Sequence, residues 1–250
     1  MKLNVEHTPL LLLVFGLSLC EMAYISEEDG LDLESQVRTM NKPSIMTFTV
    51  VSITDYMTEN IKYGGGGGTT VYNLTVAHDQ FSTHNVWIET GPQDHISMIA
   101  AGWMVSPRLY GDNLPRVFTY WTGDGYRNGC YDALCPGFVQ VDREISPGYP
   151  IYSTSTYGGA QSVLVVHIEQ DRNTGNWWLI LTSRAIKIGY WPKELFLYLR
   201  NGSLHTAWGG VGVAGSDGVC PPMGSGHRPD EKATSLALEV QEVIAGDRKT

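Results

Sequence analysis

From Val71 onward the chain is a succession of short runs rich in β-branched and aromatic residues, each closed by Gly, Pro, Asn, Asp or Ser. Val71–Val76, Val86–Glu89, Ile99–Val105, Val117–Trp121, Phe138–Val141, Val163–Ile168 and Trp177–Leu181 read as strands, because such side chains suit a pleated, half-buried surface. The last two flank Asp171-Arg172-Asn173-Thr174-Gly175-Asn176, a hairpin turn by composition. Near the end Leu236, Leu238 and Val240 alternate with Ala237 and Glu239, the period-two pattern of another strand. Pro192–Arg200 reads as a helix, with Pro at its start and Leu195, Phe196 and Leu199 on one face. With no βαβ rhythm and no internal repeat, the pattern predicts an all-β fold: an antiparallel sandwich of two sheets with one short helix.

A chain of 250 residues, 42% hydrophobic and only 17% charged, has enough apolar material for one sizeable core. Its formal net charge of −9, with no cluster of Lys or Arg, excludes nucleic acid and anionic membrane surfaces as partners. Lys2, the apolar run Leu10–Leu19 and the small residues around Ser18-Leu19-Cys20 form a signal peptide over residues 1–20, followed at once by an acidic stretch. No later segment approaches the roughly 18 apolar residues of a membrane span. Leu31, Leu33, Val37 and Met40 recur at helical spacing. The run Gly64–Gly68, with no side chains to bury, reads as the end of a linker covering residues 52–68.

Secretion gives the cysteines a meaning. Cys20 falls at or before the cut, leaving Cys130, Cys135 and Cys220. Cys130 and Cys135 are close enough to bridge a tight loop in an oxidising compartment. Cys220 is then the odd one, either buried and free or open to an intermolecular bond. A metal reading fails, because the spacing is not C-x-x-C and no second Cys/His pair accompanies it. Asn73-Leu74-Thr75 and Asn201-Gly202-Ser203 are glycosylation acceptors in a secreted chain.

Two glycine patterns imitate nucleotide sites. Gly210-Val211-Gly212-Val213-Ala214-Gly215 matches G-x-G-x-x-G, but Ser216, Asp217, Gly218 and two prolines follow where a helix is needed, so it reads as a loop. The five-glycine run lacks the Lys-Ser/Thr of a phosphate loop. Ser225 and His227 in Met223-Gly224-Ser225-Gly226-His227 read as a turn rather than a nucleophile, because Pro221-Pro222 breaks the strand a nucleophile elbow requires. The dense tryptophans are chiefly core material; Trp103, Tyr120, Trp208 and Trp178 are the candidates for a groove that grips proline rings.

Several segments together resemble the neprosin family, a group of secreted plant proteins. The resemblance rests on Ala101-Gly102-Trp103-Met104-Val105-Ser106-Pro107, Leu109-Tyr110-Gly111-Asp112-Asn113 and Phe118-Thr119-Tyr120-Trp121-Thr122. It continues through Gly129-Cys130-Tyr131, Leu134-Cys135-Pro136-Gly137-Phe138-Val139-Gln140, Thr174-Gly175-Asn176-Trp177-Trp178-Leu179 and Gly189-Tyr190-Trp191-Pro192. Trp208-Gly209-Gly210 and Met223–His227 close the series. Leu33–Pro43 resembles the start of the family's activation peptide, most of which is missing. The resulting division is signal peptide 1–20, activation-peptide remnant 26–51, glycine-rich linker 52–68 and sandwich domain 69–246.

The resemblance implies a two-sheet sandwich and an endopeptidase that cleaves after proline, best in acid, without metal or cofactor. Two carboxyls would share the work, one activating water and the other polarising the scissile carbonyl. This chain departs from that pattern. The position before Ala-Gly-Trp is Ala100; the second acid, placed after the two glycines of Trp-Gly-Gly, is Val211, or Ala207 if it precedes the tryptophan. Asp94, Glu89, Glu144, Glu169 and Glu194 read as solvated surface carboxylates. The expectation is an inactive secreted homologue, in the apoplast, cell wall or vacuole. Its expected partners are proline-containing peptides or a cell-wall or apoplastic protein.

Overall fold

The computed structural model describes residues 48–55, 61–181, 186–226 and 240–245, and only the backbone course of the first and last of these segments. The predicted helix over Leu31–Met40, the predicted strand residues 236–239 and His227 lie outside the described residues, as does the proposed signal peptide.

Strands β1 (Phe48–Asp55), β2 (Lys62–Thr70), β3 (Phe81–Thr90), β4 (Ser97–Val105), β5 (Arg116–Thr122) and β6 (Cys130–Tyr131) come first in the chain. They are followed by β7 (Val139–Gln140), β8 (Val163–Gln170), β9 (Trp177–Leu181), β10 (Ile186–Trp191), β11 (His205–Val213) and β12 (Val240–Ala245). Among the described residues they form two six-stranded sheets, in the orders β1-β11-β3-β4-β5-β6 and β12-β2-β8-β9-β10-β7. The paired strands run antiparallel. The expected sandwich is therefore present. Its core lies between the sheets: Val86, Ile88, Ile99, Ala101, Trp121 and Trp208 of the first meet Val166, Ile168, Trp177, Leu179, Ile188 and Trp191 of the second. Alternate residues of each strand supply this core, so every neighbour in sequence faces outward.

The glycine run is not a linker. Gly64–Gly68 lie within β2, hydrogen-bonded between β12 and β8 and buried throughout. The glycines are required by close approach. A Cβ at Gly66 would stand 2.5 Å from Cγ of the His167 ring, and one at Gly68 would stand 3.1 Å from Val163. Side chains of β8 thus lean over a stretch of β2 that has none. Nor is Gly210–Val213 a loop; it is the end of β11, paired with β1 and β3.

Two further expectations change. Val71–Val76 forms no strand beyond an isolated bridge between Tyr72 and Ser155; its apolar side chains Val71, Leu74 and Val76 instead pack with Trp103 and Val105 in a satellite cluster. Pro192–Arg200 is not a helix. After a 3-10 turn at Lys193–Leu195 the chain becomes an irregular, bent strap. Its Phe196 and Leu199 are fully buried, and its Leu199 carbonyl accepts from Trp177 Nε1 at 2.8 Å and Gln170 Nε2 at 3.2 Å. Tertiary donors claim that carbonyl, and core burial outweighs the local preference for a helix. The only α-helix among the described residues is one turn, α1 (Pro107–Tyr110), capped by the Ser106 hydroxyl and ended by Gly111 at φ 82°.

Candidate active-site face

The outward side of the first sheet carries an apolar cluster of its own, formed by Trp87, Met98, Ala100, Met104, Phe118 and Ala207. Tyr120 and Tyr126 pack against it, as do Phe81, Leu109 and Tyr110. The register aligns its members. Ala207 of β11 pairs with Trp87 of β3, Trp87 with Ala100 of β4, Ala100 with Tyr120 of β5, and Tyr120 with Tyr131 of β6. One transverse row therefore reads Ala207, Trp87, Ala100, Tyr120, Tyr131.

This register separates the two candidates for the second acid position. Ala207 lies in the row of Ala100 with one strand between, so the two Cα atoms are about 10 Å apart. Glutamates at such positions can reach toward a common water. Val211 pairs with Thr83, which pairs with Met104, placing it four residues farther along the same face, about 13 Å down the strands. The geometry thus brings Ala100 and Ala207 together and leaves Val211 apart. Both alanines are covered, at 5% and 0% exposure.

One residue of the predicted surface set behaves otherwise. Glu89 is not solvated; it is 6% exposed on this same face, beside the row just described. Its Oε1 lies 2.7 Å from Nδ1 of His205, its cross-strand partner on β11. The pairing explains how a carboxylate is tolerated there, since a buried charge needs a partner. Burial, with a smaller push from the nearby Glu89 charge, holds the Tyr126 phenol well above the usual range. Burial likewise raises the Tyr120 phenol, so neither is a source of acid at neutral or acidic pH. Asp94, Glu144 and Glu194 are exposed as expected, and Glu169 is half-buried on the second sheet. The other buried carboxylate among the described residues, Asp132, lies at the far end of the same face, directly after Tyr131 of the row and hydrogen-bonded to Tyr110.

The four aromatic candidates do not converge. Trp103 is fully buried between the sheets, where its indole N–H donates to Thr69 Oγ1 at 3.3 Å. Trp208 is 4% exposed and donates to the Gly66 carbonyl at 2.9 Å. Both are core, which removes them from any peptide-binding surface. Tyr120 is half-buried on the outward face of the first sheet, and Trp178 on the opposite side of the molecule, 5.0 Å from the Tyr190 ring and under Lys187. Tyr131 and Tyr126, which sequence reasoning passed over, complete the aromatic border around Ala100, with ring centroids 4.9 and 6.4 Å from that of Tyr120. The signal for Tyr131 was available, since it directly follows Cys130.

The loop behind β6 is fixed covalently and by a buried acid. Cys130 and Cys135 are disulfide-bonded, with Cα atoms 6.0 Å apart. Between them Asp132, at φ 50°, accepts from Tyr110 Oη at 2.7 Å and from the Thr119 amide at 2.8 Å. Burial raises the Asp132 carboxyl against the pull of these donors. Cys220 is not a free cysteine: it is disulfide-bonded. Asn73 and Thr75 of one glycosylation acceptor are exposed; in the other, Asn201 is exposed and Ser203 fully buried. No group of His, Cys, Asp and Glu suited to a metal occurs among the described residues.

Comparison with known proteins gives one family. The model of the Neprosin family matches residues 78–246. Among solved structures, a scytalido-glutamic peptidase with a transition-state analogue inhibitor is similar at 10% identity and a TM-score of 0.36, covering 70% of this chain and 72% of its own. The same peptidase with a peptide-based analogue gives 9%, 0.33, 78% and 73%. CG-16, a homodimeric agglutinin from chicken liver, gives 8% identity and 0.34, covering 66% of this chain and 97% of its own.

Proposed function

The chain belongs to the neprosin family, and from that premise we propose that it is a secreted peptidase homologue that no longer cleaves after proline and uses the outward face of its first sheet to hold proline-containing peptides. The observation that carries this reading is the row Ala207, Trp87, Ala100, Tyr120, in which no member is a carboxylate. A methyl group neither accepts a proton nor polarises a carbonyl, so the two-acid route has no acids. Placing the second acid at Val211 recovers none either. What remains around Ala100 is aromatic: Tyr120, Tyr126 and Tyr131 supply ring faces of the kind that pack on proline. The Cys130–Cys135 disulfide fits an oxidising compartment, the apoplast or cell wall. No described helix is long and apolar enough to cross a membrane.

The test is incubation of the purified chain with a proline-rich peptide from pH 2 to 7. An intact peptide that still binds supports the proposal, and clean cleavage after proline overturns it. One observation favours a second reading, cleavage through relocated groups: Glu89 and His205 sit beside the vacated row. Activity lost on Glu89→Gln would establish that reading in place of the first.

A further inference from the structure

At one end of the second sheet, away from the Ala100 row, a cleft of about 230 Å³ is lined by Tyr63, Gln170, Arg172, Gly175, Arg200 and Asn201. Three separate segments build it. Tyr63 belongs to β2, Arg172 to the β8–β9 turn, and Arg200 to the strap that replaces the expected helix. Gln170 ties the latter two together. Its side chain is buried, and Nε2 donates to the carbonyls of Gly175, Leu199 and Arg200 at 2.9, 3.2 and 2.9 Å. The two arginine-bearing backbones are thus held on a common floor.

Both guanidinium groups are oriented without being neutralised. The Cζ of Arg172 lies 4.4 Å from the centroid of the Tyr63 ring, a cation–π contact that engages no charged partner. Arg200 donates Nε to the Phe196 carbonyl at 3.1 Å, which leaves its terminal N–H groups for another acceptor. Neither arginine forms an ion pair with a described carboxylate, in a chain with 26 acidic and 17 basic residues. The acid nearest in sequence, Asp171, turns its Oδ1 to the amides of Asn173 and Thr174. Two like charges kept at one concavity, each with unused planar donors, form an electrostatically incomplete arrangement that an oxyanion completes.

We propose that this cleft binds an oxyanion, through charge-assisted hydrogen bonds from Arg172 and Arg200, on a ligand unit no larger than a monosaccharide. The site is independent of the peptide reading above and requires no chemistry. Titrations of acetate, inorganic sulfate and inorganic phosphate into the full chain, at constant ionic strength, test it by calorimetry and thermal shift. The expected result is saturable binding of at least one anion, weakened about tenfold by Arg172→Met and by Arg200→Met. Both residues are exposed, so both variants are expected to keep the parent Tm without ligand; Arg172→Lys and Arg200→Lys, which keep the charge but not the fork, serve where either does not. A preference for acetate identifies a planar carboxylate, and a preference for sulfate or phosphate a tetrahedral group. Absence of saturable binding by all three anions overturns the proposal, as does binding that is unchanged when either arginine is replaced.

Discussion

Trp208 of the first sheet reaches across the sandwich to donate its indole N–H to the carbonyl of Gly66 in the second, at 2.9 Å. The bond joins two motifs that are far apart in sequence and unremarked by any pattern linking them. It is buried, so its backbone acceptor has no water to turn to. Trp208→Phe is expected to cost roughly 1–3 kcal/mol from the lost hydrogen bond and packing, read as a fall in urea midpoint.

Gly66 itself tolerates no side chain. Gly66→Ala would put a Cβ 2.5 Å from Cγ of His167, an atom too near its own backbone to swing aside. We expect a loss of roughly 1–3 kcal/mol, although Ala is ordinarily the better strand residue. Combining it with His167→Ala relieves the clash, so the double variant should lose less than the sum of its parts, measured by equilibrium unfolding.

Glu89 and His205 are expected to be coupled. Glu89→Gln and His205→Gln each remove one partner of a buried pair and should each cost about 1–3 kcal/mol. A double-mutant cycle at neutral pH should return a coupling of at least about 0.5 kcal/mol. Additive costs would mean that the two side chains act separately.

Restoring acids discriminates between the two positions on β11. Ala100→Glu with Ala207→Glu sets carboxyls in one row, close enough to perturb each other and to share water. Ala100→Glu with Val211→Glu leaves them far apart. Post-proline cleavage in acid is expected only from the first pair, together with a lowered Tm, because both alanines are covered. Cleavage by the second pair alone would contradict the register argument.

His84, on the inward side of β3, provides a pH dependence. Burial holds its pKa down at about 4, against 6.5 unfolded. The unfolded chain therefore takes up a proton that the folded chain refuses between those values, and stability falls as pH drops from 6.5 toward 4. The loss is bounded at about 3 kcal/mol, reduced by whatever water reaches the half-buried ring. Denaturant titrations at pH 7 and pH 4 on the parent and on His84→Phe should show the difference shrinking in the variant.

The strands legible in the sequence were those whose residues carry the signal themselves. β4, β5, β8 and β9 are rich in Val, Ile, Trp and Thr, and each is placed to within about two residues, whereas of β3 the sequence shows only Val86–Glu89 of Phe81–Thr90. β2 and β11 were hidden for one reason: Gly64–Gly68, Gly209, Gly210 and Gly212 have no propensity for strands and are admitted only by neighbours the sequence does not reveal. The Pro192–Arg200 helix failed because Trp177 and Gln170 take a strap carbonyl, a tertiary fact. At the candidate site, motif order shows that Ala100, Val211 and Ala207 are not acids, but it favours Val211 as the second position, and only the strand register sets Ala207 in the row of Ala100. The burial of Glu89 was not readable, because its partner His205 lies far along the chain.

The polyglycine composition of β2 has a consequence for how the strand finds its place. Sliding it by one residue against β8 exchanges one glycine for another, so the middle of the strand cannot distinguish correct alignment from a near miss. Discrimination falls to the ends. Lys62, fully buried, donates Nζ to the Leu204 carbonyl at 2.9 Å, and Thr69 Oγ1 receives the Trp103 indole. These two anchors act as the stops of a ruler whose interior is unmarked, and weakening either should let misaligned pairings accumulate during refolding.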